Sequence, residues 1–172
     1  SPAELVERVL ASPFRRRKLL HPRSREIAIS REEGRLLLDT TEIPSWRRFP
    51  APALYPAPGQ YDVPLGATRE SPNPTFDGET ASGHPISIDY GDPNAKIRGV
   101  VAKLRIPGSE RPVPFWISSP GTGHHRGTIV LHPRDELEPW TCYEVSVDLV
   151  KGGEEVHLEW RFYTGRRSLG FD

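Results

Sequence analysis

His124 and His125 stand side by side in the glycine-rich loop Pro120-Gly121-Thr122-Gly123, a pairing that suggests a metal site. Zinc needs ligands that converge on one point. Adjacent residues on an extended chain point apart, so a third ligand such as His84 would be required; two solvated imidazoles are the plainer expectation. Asp89, Asp92 and Asn94 flank one turn, where calcium is conceivable. An Asx-turn accounts for them equally well, without the density of oxygen ligands calcium prefers. Asp135, Glu136 and Glu138 fall within four residues. Glycoside hydrolysis uses paired carboxylates but requires a cleft that shields one acid from water, and a charged turn needs neither. His132 and His157 occupy outward positions of their strands and are expected at the surface. Cys142 is the single cysteine, so it forms no intrachain disulfide, and no histidine is spaced to activate it. The sequence thus predicts no catalytic residue, no metal ligand and no cofactor.

Two further groups bear on binding. Arg15-Arg16-Arg17-Lys18 resembles a phosphate or nucleic-acid patch, but it is short and lacks an interleaved aromatic series. It reads as a solvated helix face beside Phe14, Leu19 and Leu20, and nucleic acid is not expected as a partner. Outward-facing Trp116, with Trp140 and Trp46, offers rings for stacking on a surface glycan, although packing between segments is the simpler use.

The chain has 172 residues, 23 Lys and Arg against 23 Asp and Glu, and zero formal net charge. No global field draws it to nucleic acid or an anionic membrane. Residues 1–50 carry 11 basic against 7 acidic residues and the remainder 12 against 16, a mild asymmetry. Nineteen prolines and fifteen glycines lie between apolar runs, which suits a turn-rich β protein. No apolar run approaches the length of a transmembrane helix. Methionine is absent, even at position 1, so Ser1-Pro2 is expected to arise by processing or fragmentation, with no secretory signal in the chain itself.

These side chains need elements to position them. From Gly83 onward the pattern is all β. Ile86, Ile88 and Tyr90 alternate; Val100, Ala102, Leu104 and Ile106 share a face, with Gly99 marking a bulge; Val113, Phe115 and Ile117 follow, then Ile129 and Leu131. Val145, Val147 and Leu149 alternate with Glu144, Ser146 and Asp148. Gly152-Gly153 then turns the chain into Val156, Leu158, Trp160 and Phe162. An edge strand is expected near Ala53–Tyr55 or Tyr61–Pro64. Seven strands in this length make a sandwich.

Leu137-x-Pro139-x-Thr141-x-Tyr143 resembles the tyrosine corner of immunoglobulin-like and fibronectin III-like sandwiches, and Phe162-x-Thr164-Gly165 resembles their closing strand. The resemblance implies that Leu137, Pro139 and Tyr143 form a structural corner, with the Tyr143 hydroxyl bonded to backbone upstream. Upstream, Ser12-Pro13-Phe14-Arg15-Arg16-Arg17-Lys18-Leu19-Leu20-His21-Pro22, followed by Ile27-Ala28-Ile29, resembles the last third of a bacterial CAP (SCP-like) domain. Arg15 replaces the histidine of that motif, and no residue matches the family's cavity histidines and glutamates. Tyr55-Pro56-Ala57-Pro58-Gly59-Gln60, then Val63-Pro64, resembles the junction joining CAP domains to a C-terminal Ig-like domain.

The expected organisation is a CAP-like helix-plus-hairpin remnant over 1–42, a proline-rich junction over 43–82, an Ig-like sandwich over 83–166 and a tail over 167–172. The resemblance implies a secreted or envelope-attached bacterial module, non-catalytic, acting in adhesion or assembly through protein contacts. The alternative is an accessory glycan-binding module of a hydrolase. Leu5, Val6, Val9, Leu10 and Phe14 form an apolar stripe expected to meet a protein partner or a second copy, with docking on the sandwich as the other outcome.

Overall fold

The computed structural model describes residues 2–22, 24–32, 35–42, 51–66, 83–92, 94–120 and 127–167. Helices α1 (Pro2–Ala11) and α2 (Pro13–Leu19) open the chain. Ser12-Pro13 ends one helix and starts the next. Ser12 is extended, and its Oγ accepts from the Arg15 N–H at 3.1 Å, while Pro13 takes a first-turn position where no N–H is needed. Strands β1 (Ser24–Glu32) and β2 (Arg35–Glu42) then pair antiparallel as a ribbon.

Two antiparallel sheets follow and pack as a β-sandwich. One takes the order β3-β4-β7-β6, from β3 (Ala53–Tyr55), β4 (Ile86–Asp89), β6 (Phe115–Ser118) and β7 (Thr128–Pro133). The other is β5-β8-β9, from β5 (Ile97–Arg105), β8 (Cys142–Lys151) and β9 (Glu154–Tyr163). Their inner faces supply one core: Ile86, Ile88, Ile129 and Leu131 meet Leu104, Tyr143, Val145, Val147 and Phe162. Alternation places these side chains because successive strand residues point to opposite faces. The bulge falls where Gly99 stands. The β5–β8 register shifts between Arg98 and Val101, and Gly99 has φ +63°, a backbone that side-chain-bearing residues resist. Ile117 is a departure: it is 38 % exposed on edge strand β6, while Val113 and Phe115 join the core.

The junction is woven into the sandwich. β3 pairs with β4, setting Leu54 opposite Ile88. The chain then crosses to the other sheet and runs parallel to β9. Tyr163 N–H donates to Gln60 O at 2.8 Å, Val63 N–H donates to Tyr163 O at 3.1 Å, and Gly165 N–H donates to Val63 O at 2.8 Å. Both stretches expected to hold an edge strand therefore pair, one on each sheet. Trp160 Nε1 donates to Pro56 O at 2.9 Å, tying the crossover to the core.

At the corner, Tyr143 is buried and its hydroxyl accepts from the Glu138 N–H at 2.7 Å. Leu137 is buried below it, its N–H donating to Leu65 O at 2.9 Å. Pro139 is exposed, and its carbonyl accepts from the Thr141 hydroxyl at 2.9 Å. Thr164, placed by the sequence in the closing-strand motif, adds a pin whose bonds the motif did not foretell. Its hydroxyl donates to Glu138 O at 2.6 Å and accepts from the Thr141 N–H at 2.8 Å.

Candidate functional site

Alternation in an antiparallel sheet usually leaves one face to water. Here β4 and β7 are buried throughout, so the outward residues Ser87, Asp89, Thr128, Val130 and His132 are covered as well. The N-terminal unit supplies cover: α2 lies against β4. The side meeting the sheet is carried by a cation. Arg16 is 1 % exposed; its Nε donates to Ser87 Oγ at 3.2 Å, and its terminal nitrogens donate to Leu10 O at 2.8 Å and Pro85 O at 2.7 Å. The guanidinium also lies 4.3 Å over the Tyr55 ring. A buried guanidinium persists only where donors are matched and the charge is met by dipoles or π density. Beside it, Arg17 Nε meets Asp89 Oδ2 at 3.1 Å, and Asp89 Oδ1 accepts from the Gly91 N–H at 2.8 Å. His21 Nε2 donates to Gly91 O at 3.1 Å, which assigns its proton to that nitrogen.

The basic run is therefore not one solvated face. Arg15 and Lys18 are exposed, Arg17 is half-buried and Arg16 is interior. Helical geometry spreads four consecutive residues around the axis, so one of them had to face the sheet. His132 is corrected likewise: it is buried, because the outward face of β7 is covered. Burial, then the nearby Arg16 charge, lowers its pKa to about 4. The same two causes hold His84 well below the usual histidine range. His84 is fully buried, with its ring 5.7 Å from that of Tyr55, and neither ring nitrogen has a hydrogen-bond partner. Both imidazoles are neutral near pH 7. Next to His84 a cavity of about 190 Å³ lies between α1 and the junction, lined by Glu7, Leu10, Tyr55, Asp62, His84 and Arg167.

Of the apolar stripe, Val6, Val9 and Leu10 are half-buried, and the Leu5 and Phe14 side chains lie outside the described residues. The sandwich takes one side of α2, through Arg16 and Arg17, and Ser12, Pro13 and Leu19 are buried as well. The ribbon is a separate matter. Its Ile27 and Leu37 are 46 % and 48 % exposed.

The remaining candidates are dispersed. His124, His125 and Trp46 lie outside the described residues, and among the described residues no three His, Cys, Asp or Glu side chains converge as metal ligands. Asp92 makes the Asx-turn, its Oδ1 accepting from the Asn94 N–H at 2.8 Å. Asp135, Glu136 and Glu138 are all exposed, so none is the shielded acid that glycoside hydrolysis needs. Trp116 is half-buried with the Arg134 guanidinium 4.0 Å over its ring, whereas Trp140 is 74 % exposed. Cys142 is half-buried, opposite Tyr163. His157 is exposed as expected, its Nδ1 2.7 Å from Asp148 Oδ1. No helix among the described residues is long and apolar enough to cross a membrane. Set against known proteins, the chain matches no protein-family model and no curated protein.

Proposed function

We propose that the chain is a non-catalytic assembly module: an Ig-like sandwich that holds out a helix-plus-ribbon unit for protein contact. The sheet orders β3-β4-β7-β6 and β5-β8-β9 support the Ig-like reading, because they correspond to strands A-B-E-D over C-F-G of a constant-type immunoglobulin domain. The corner at Tyr143 supports it too. The secreted or envelope setting, and the kinship of the N-terminal unit with the end of a CAP domain, rest on the sequence resemblance.

The observation that carries the assembly role is the ribbon. A two-stranded ribbon is marginal in water unless a third strand or a cover completes it. β1 and β2 pair with each other, their main further contact among the described residues is α2, and Ile27 and Leu37 stay open. The occupant is a second copy of the chain: with zero formal net charge, copies meet without long-range repulsion. Sedimentation across a concentration series tests this, with Ile27→Glu and Leu37→Glu as variants. A concentration-dependent dimer that either variant abolishes is the expected result. A wild type that stays monomeric at high concentration, with β1 and β2 amides as slow to exchange as those of β8, sinks the assembly role.

A further inference from the structure

The outward face of the three-stranded sheet carries a row that the assembly reading does not use. Glu144, in the middle strand β8, stands between Arg105 of β5 and Arg161 of β9. Arg105 Nε donates to Glu144 Oε1 at 2.6 Å, and Arg161 Nε donates to Glu144 Oε2 at 2.8 Å. A second nitrogen of each arginine reaches the same oxygen as its own Nε. The carboxylate is 3 % exposed, whereas the two guanidinium side chains are 58 % and 57 % exposed. One carboxylate beneath two guanidiniums leaves the row with a net positive charge. Each arginine also keeps N–H groups that no described residue accepts. Lys103, exposed on the same face, adds to the charge.

An aromatic platform adjoins the row. Tyr163 lies two residues beyond Arg161 on the same face, about 7 Å away along the strand. The junction's parallel run on β9 brings Tyr61 onto it: the rings stack with centroids 4.4 Å apart and planes 5° from parallel. Tyr61 is 71 % exposed, so the ring face away from Tyr163 is open. Trp140, 74 % exposed, enters β8 at the same end of the sheet, with φ +54°. A bulky residue in that backbone region is costly, and such strain is commonly kept at functional sites.

We infer that this end of the β5-β8-β9 face binds a carboxylated saccharide. Tyr61 stacks on a sugar ring while Arg105 and Arg161 take its carboxylate through their free N–H groups. Planar guanidinium forks suit carboxylates, and an open aromatic ring beside donors suits a ring with one apolar face. The next row of the same face sets Glu159 across Ser146 from Lys103, and Asp148 and Glu155 lie beyond it, all three acids exposed. Their charge confines an anionic ligand to the tyrosine end and disfavours densely charged polyanions. An acidic peptide would also meet Arg105 and Arg161, but its carboxylates bring no sugar ring to lie on the open Tyr61 face.

The test is titration of the full chain with three probes: hexagalacturonate, its methyl ester and hexaglutamate. Saturable binding of hexagalacturonate is expected, about tenfold weaker for the methyl ester and about tenfold weaker for Tyr61→Ala, the worth of one such contact. Tyr61→Ala should lower the melting temperature only slightly, through the lost stacking on Tyr163, and leave the chain folded. The paired Arg105→Lys, Arg161→Lys variant, which keeps charge over Glu144, should weaken binding while staying folded. Absence of saturable hexagalacturonate binding, or affinity indifferent to Tyr61→Ala, overturns the inference. Equal affinity for hexaglutamate would make the face a peptide-binding surface and overturn it as well.

Discussion

Tyr143 and Thr164 hold the same corner from neighbouring strands, and their contributions differ in kind. The Tyr143 hydroxyl accepts one bond, from the exposed Glu138, whose N–H water can partly satisfy instead. Tyr143→Phe should therefore cost about 1 kcal/mol. It should lower the urea midpoint without changing the slope. Thr164 is buried, and its hydroxyl both donates and accepts. Thr164→Val leaves the Glu138 carbonyl and the Thr141 N–H short of partners, and about 2 kcal/mol is expected by the same measurement. A larger loss for Tyr143→Phe than for Thr164→Val would show that the tyrosine hydroxyl, not the threonine, is the stronger pin, since the ring is kept in the variant. The sequence pointed to Tyr143 through the spacing of Leu137 and Pro139. It placed Thr164 in the closing Phe162-x-Thr164-Gly165 motif without a role for its hydroxyl, because only its position opposite Thr141 makes it a pin.

At the scale of elements, Arg16 is the buried fastening of α2, with the Arg17–Asp89 ion pair beside it. Arg16→Ala removes donors from Leu10 O, Pro85 O and Ser87 Oγ, at a cost of about 3 kcal/mol for bonds to a charged group. The loss should be local: amide exchange speeds up in α2 while β8 keeps its protection. The histidines behind Arg16 make the attachment sensitive to pH. Burial, then Arg16, takes His132 from 6.5 to about 4, and His84 moves the same way. The unfolded chain therefore binds more protons between those values. The stabilisation is fully present above pH 6.5 and is lost as pH falls toward 4, with about 3 kcal/mol from His132. Urea midpoints measured across that range should fall, and His132→Gln should flatten the slope. Glu144 titrates in a lower window. Hydrogen bonds from Arg105, then Arg161, hold its carboxyl below 4.5, so its contribution is lost only as pH drops further.

At the scale of the molecule, the described core from Leu54 to Phe162 includes no residue of the N-terminal unit. A chain beginning at Ala51 should therefore fold cooperatively, though with less stability, since the outward face of β4 and β7 loses its cover. The loss of stability between pH 6.5 and 4 should largely vanish in that truncation, because His132 becomes solvated and Arg16 is gone. Thermal melts of the two chains at pH 7 and pH 5 check both points. An unfolded truncation would mean that the helices are part of the sandwich and not a docked unit.

Alternation of apolar residues, glycine turns and the corner spacing determined by themselves that this protein is mainly β and which face of most strands turns inward, Ile117 on edge strand β6 being the departure. Those properties are local, set by the two-residue period of a strand and by the backbone angles of turns. The bulge at Gly99 was legible for the same reason. Strand parity says which way a side chain points and not what it meets there. His132 was on the outward parity and yet is interior, because α2 and its buried Arg16 come from far along the chain. The tyrosine pair and the arginine row were likewise invisible in the sequence. Tyr61 and Tyr163 lie about a hundred residues apart, and Arg105, Glu144 and Arg161 sit on three strands. Their contacts exist only once the junction has crossed between the sheets and the strands have paired in register.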